Sequence, residues 1–144
     1  MRLRSFALLC FTVFLTTNLI AQQDCEQIAK DCSAYLNGSD GSPDFVSDGQ
    51  VYTAFLDREQ AEFKTTLYGG SKYRIAASAG SEEDYVIFSV LDLEGNLLFT
   101  NRDHKNSPYW DFEVPNSIPV VVVTELDLDL KVTGCAVLLI GFKQ

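Results

Sequence analysis

Histidine occurs once in this chain, as His104, and no Cys-x-x-Cys pair is present. Structural zinc sites take closely spaced cysteines and histidines, so that chemistry is excluded, and a dithiol oxidoreductase with it. Basic residues are also few: eleven lysines and arginines face twenty acids, a formal net charge of −9 at neutral pH. Such a surface repels phosphate backbones and anionic lipid, which removes nucleic acid and anionic membrane faces as partners. The chain has no internal repeat and no low-complexity tract, which excludes solenoids and propellers. Gly69-Gly70 lacks the Lys-Ser/Thr ending and the following helix of a phosphate loop. A serine–histidine–acid triad has only His104 to build on, and the residues around it do not supply one.

What is present begins with "MRLRSFALLCFTVFLTTNLIAQQ". Arg2 and Arg4 form a basic head, residues 6–15 an apolar run, and Thr16, Thr17, Asn18 and Ala21 a polar exit. This is the layout of a secretory signal peptide, 1–21, too short for a membrane span. Gln-Gln-Asp before Cys25 lacks the small residues of a lipoprotein signal. Without residues 1–21, nine basic residues face twenty acids, a net charge of −11. The expectation is a periplasmic or secreted protein, the periplasm preferred, with no membrane insertion once the signal is removed.

Residues 22–44 read as a helix and a loop. Cys25, Ile28, Ala29, Cys32, Tyr35 and Leu36 fall on one helical stripe, and Asp24 with Gln27 fits a capping box. "NGSDGSPDFVSDG" then breaks regular structure. From about residue 45 to 144 the period changes to two. Eight runs, from "QVYTAFL" to "GCAVLLIGF", are rich in β-branched and aromatic residues and punctuated by glycine, asparagine and proline turns. Eight strands with no helix between them predict an all-β domain, an antiparallel β-sandwich or jelly roll. "VVVV" and "CAVLLI" are apolar on both faces and suit central strands.

From about Asp48 to Lys143 the chain resembles a group of small secreted proteins of Gram-negative bacteria with no assigned activity. The motifs that carry this are "DGQVY", "AEF", "LYGGSKYRIA", "LLFTN", "YWDF" and "GCAVLLIGFK". The strand order is also similar to the pre-peptidase C-terminal domains, jelly-roll modules attached to secreted enzymes. Neither resemblance implies a catalytic residue.

Cys10 leaves with the signal, so Cys25, Cys32 and Cys135 remain in an oxidising compartment. Seven helical residues separate Cys25 and Cys32 by ~10 Å, beyond the ~7 Å a disulfide spans. Cys135 therefore takes one of them. Cys32 is the expected partner, with Cys25 as the alternative. The closed loop of about 100 residues is worth about 3–4 kcal/mol.

The only tryptophan, Trp110, lies six residues after His104. In "YWDFEV" alternation puts Trp110, Phe112 and Val114 on one face and Tyr109, Asp111 and Glu113 on the other. The expectation is a core strand preceded by a polar loop with His104 solvated at its tip. The alternative is a sugar-binding surface built from Arg102, Asp103, His104, Tyr109 and Trp110. Glu125, Asp127 and Asp129 would share one face of an extended backbone and are the calcium candidates, although spacings of ~6–7 Å keep all three off one ion. "LDLEGN" (Asp92, Glu94, Asn96) and "GSEEDY" read as turns. No cofactor and no catalytic site is expected. The chain reads as a non-catalytic structural or protein-interaction module, with a carbohydrate-binding module as the rival and a protein or glycan as partner.

Overall fold

In the computed structural model, which describes residues 17–80 and 86–143, the last strand organises the chain. Residues 135–141 are buried without interruption. Ala136, Leu138 and Ile140 face one side of their sheet, Cys135, Val137 and Leu139 the other. A strand apolar on both faces needs a cover on each.

One cover is a second sheet. The strands are β1 (Val46–Ser47), β2 (Tyr52–Asp57), β3 (Gln60–Leu67), β4 (Ser71–Ser78), β5 (Val86–Asp92), β6 (Leu97–Thr100), β7 (Tyr109–Val114), β8 (Ile118–Leu126) and β9 (Thr133–Lys143). The first sheet runs β1-β9-β4-β7, with β2 beside β1 on the same edge of β9; the second runs β3-β8-β5-β6. All pairings are antiparallel. Ile75, Phe88, Val122 and Leu138 are fully buried between the sheets, each worth about 1.5–3 kcal/mol. The all-β sandwich read from the sequence is the fold, with the two-residue β1 as an addition.

The other cover is helix α1 (Thr17–Cys32), continued by a 3-10 turn, Ser33–Leu36. Cys32, Leu36 and Phe45 pack with Ala76 of β4 and Cys135, Val137 and Leu139 of β9. The signal peptide expected at 1–21 lies outside the described residues up to 16, and residues 17–21 begin α1. Helical backbone runs through Asp24, so Asp24 is not an N-cap in this chain. The "GSEEDY" turn lies outside the described residues from 81 to 85. No described helix is long and apolar enough to cross a membrane.

The disulfide joins Cys25 to Cys135, with Cα atoms 5.7 Å apart, and leaves Cys32 as a buried thiol. The expected Cys32–Cys135 bond is therefore corrected. The reason is the direction of the helix, which runs along β9 in the same sense. Cys25 stands at Cys135, while Leu36 comes so close to Gly141 that a Cβ there would lie 2.9 Å from its Cδ2. Cys32, seven helical residues on, has moved ~10 Å past Cys135.

A non-reducing peptide map will recover Cys25 linked to Cys135, with Cys32 alkylated only after unfolding. Cys135→Ser lowers stability by about 2–5 kcal/mol, measured by urea denaturation. Burial pushes the Cys32 thiol up from 9.0 to about 12. The folded state then holds a proton that the unfolded state releases, so this contribution is complete below pH 9 and declines as pH rises from there toward 12. Cys32→Ala removes that part of the alkaline loss.

Candidate functional site

The sandwich is open on one side. β7 ends the first sheet and β6 the second. Between them lies an apolar groove of about 420 Å³, within the ~300–1,000 Å³ usual for ligand pockets. Leu98, Phe99, Phe112, Val114 and Ile118 line it, with Glu113, Asn116 and Ser117 toward the β7–β8 turn. That turn is held against the β3–β4 turn. Ser117 Oγ accepts from the Gly69 amide at 2.9 Å, and a Cβ on Gly69 would lie 2.9 Å from Asn116 Cα. Only glycine permits this approach.

The upper part of the opening is filled by rings. His104 and Trp110 meet, with centroids 4.1 Å apart, and Phe99 stacks at 5.4 Å from His104 and 5.1 Å from Trp110. Phe112 meets Phe99 edge-on at 5.0 Å. Trp110, Phe112 and Val114 share the inward face as alternation requires. Trp110 is half-buried rather than enclosed, because its strand is an edge. His104 is exposed but lies on Trp110, not free at a loop tip.

Asn101 holds the loop that brings His104 there. It is fully buried, and its Oδ1 accepts from the Phe88 amide at 2.9 Å. Its Nδ2 donates to the carbonyls of Val86 (2.9 Å) and Ser107 (3.0 Å). Two outer contacts latch the same loop to the end of β8: Arg102 to Glu125 at 2.8 Å, and Asn106 Nδ2 to Asp127 Oδ2 at 2.8 Å. The sequence reading passed over Asn101. A lone asparagine after a strand has no signature that distinguishes it from a solvated turn residue.

The five sugar-binding candidates do not converge. Arg102 is engaged with Glu125, Asp103 is exposed in the 3-10 turn, and Tyr109 lies on the opposite face of the sheet from Trp110. There Tyr109 flanks the guanidinium of Arg74, 4.4 Å from its ring centroid, with Phe45 at 4.3 Å. Arg74 also donates two parallel hydrogen bonds to Asp111 (Nε–Oδ1 2.6 Å, Nη2–Oδ2 3.0 Å) and another to the Tyr35 carbonyl at 2.9 Å. The hydrogen bonds it donates to Asp111 hold the guanidinium above its ordinary pKa. This cluster ties β4, β7 and the end of the helical layer together.

The calcium candidates do not share a face. β8 stops at Leu126 and the chain turns at Asp127, whose carbonyl accepts from Leu130 and Lys131. Glu125 is taken by Arg102, and Asp127 accepts from Asn106 and from the Asp129 amide. Among the described residues no cluster of three or more potential ligands could hold a metal. In "LDLEGN" the Asp92 carboxylate closes the hairpin by accepting from Asn96 and from the Glu94 amide. The Asn96 side-chain bond, first among these, holds its pKa below the usual carboxylate range.

No protein-family model matches the chain, and no curated protein matches it. Among solved structures it is similar to Aeromonas hydrophila PliG, a periplasmic lysozyme inhibitor of g-type lysozyme. What the two share is a fold. The match covers 69% of this chain and 88% of that one, with a TM-score of 0.50 and 11% identity. At that identity the likeness extends to architecture and not to any residue's role.

Asn101→Ala lowers stability by about 2–4 kcal/mol in urea denaturation, since it leaves buried backbone groups unpaired. His104→Ala uncovers one face of Trp110, so iodide quenches its emission more strongly than in the wild type. Equal quenching of the two proteins would mean that the rings are not in contact.

Proposed function

We propose that this chain is an exported, non-catalytic protein-binding module of the periplasm or the cell exterior, acting by occupying a partner's surface. The observation that carries the reading is the open side of the sandwich, an apolar groove set between two edge strands of a stapled domain. Grooves of this kind suit a partner's side chains, and strand edges suit its backbone. The partner is cationic, because a chain of net charge −9 attracts basic surfaces and repels acidic ones.

The fold likeness to a periplasmic lysozyme inhibitor supports an inhibitory form of this role and indicates where to begin. The glycan-binding alternative loses support, since Tyr109 and Trp110 lie on opposite faces of their strand.

The test is lysis of cell-wall suspensions by g-type lysozyme with the mature domain added stepwise. The expected result is inhibition that saturates at one domain per enzyme and weakens with added salt. Undiminished lysis, together with no complex in sedimentation, would discard the inhibitor reading.

A further inference from the structure

We propose that the free edge of β7 takes up an extended segment of the partner as an added strand, and that this segment alternates apolar and basic residues. The inference rests on the protein-binding reading above and specifies how binding occurs.

β7 pairs with β4 on one side, and among the described residues no strand pairs with the other. The carbonyls of Pro108 and Val114 accept from Ala77 and Gly70, so the even positions direct their backbone toward β4. By alternation, the N–H and C=O groups of Asp111 and Glu113 point to the open edge. Ser107 Oγ takes the Tyr109 carbonyl at 2.9 Å, which closes the upper end of that row. Pro108 and Pro115 bracket the six residues, so the edge accepts a segment of about six residues, ~20 Å long.

The side chains fix the chemistry. A strand laid beside β7 must alternate in the same sense. Its inward residues enter the groove beside Phe112 and Val114 and so must be apolar. Its outward residues stand beside Asp111 and Glu113. Asp111 is committed to Arg74 and lies 3.9 Å from Lys72, whereas Glu113 forms no ion pair among the described residues. The outward positions therefore call for lysine or arginine. The same charges exclude a second copy of this chain, because pairing β7 with β7 would set acidic residues against each other across the new ladder.

The probe is a capped hexapeptide of alternating lysine and valine, titrated calorimetrically into the mature chain, with amide exchange followed by NMR. Saturable binding is expected, with slowed exchange at Asp111 and Glu113. Methylating alternate peptide amides, which blocks strand pairing but keeps charge and composition, should weaken binding at least about tenfold. Glu113→Lys, at an exposed position, should weaken it about three- to tenfold. Equal binding of the methylated peptide, protection elsewhere on the chain, or no binding would overturn the proposal. So would dimerisation of the chain alone through this edge. If the wild-type chain and Glu113→Lys inhibit g-type lysozyme equally while the peptide fails to bind, the edge proposal falls and the protein-binding reading stands. If lysozyme is neither bound nor inhibited but the peptide protects Asp111 and Glu113, the edge proposal stands and the lysozyme assignment falls.

Discussion

The structure depends on β9 having no polar face. Seven consecutive buried residues cannot lie at the surface of a two-layer sandwich, because one of its sides would face water. The helical layer meets that requirement. It adds a second, smaller core of Cys32, Leu36 and Phe45 against β9 and β4, and the Cys25–Cys135 bond fixes its position along the strand. A short segment near a terminus frays unless tied down, and the bond ties this one to the most deeply buried strand of its sheet.

Arg74 is the electrostatic counterpart of that arrangement. Its side chain is only 11% exposed, yet it keeps its charge because Asp111 accepts two of its hydrogen bonds, backbone carbonyls take another, and Phe45 and Tyr109 flank it. A nearly buried guanidinium is tolerable only when its donors are used in this way. The effect is to join the end of the helical layer to β4 and β7, so the strand nearest the groove is fixed from behind. A rigid edge loses little entropy when a partner docks, which favours recognition through main-chain pairing.

The second sheet has no such cover. Its strand β8 carries the valine run 120–123, apolar on both faces, yet only alternate residues are buried, and Val121 and Val123 are half-exposed on the outer face. The runs "VVVV" and "CAVLLI", both apolar on two faces, thus occupy different environments. The difference lies in what packs over each sheet, and nothing within the run records it.

Periodicity determined the fold class, the inward face of β7 and the turns at Gly69-Gly70 and Gly95, because each depends on residues within a few positions of one another. The inward set Trp110, Phe112 and Val114 follows from alternation alone. What needed the tertiary structure was every relation between elements. Cys25 rather than Cys32 bonds Cys135 because α1 runs along β9 in the same direction, and no local pattern encodes that direction. Asp127 leaves the face of Glu125 because the chain turns where β8 loses its partners. His104 lies on Trp110 because a buried Asn101, bonded to strand β5, folds the intervening loop back on itself. Local sequence sets which face of an element is apolar; only the packing of one face on another decides which residues meet.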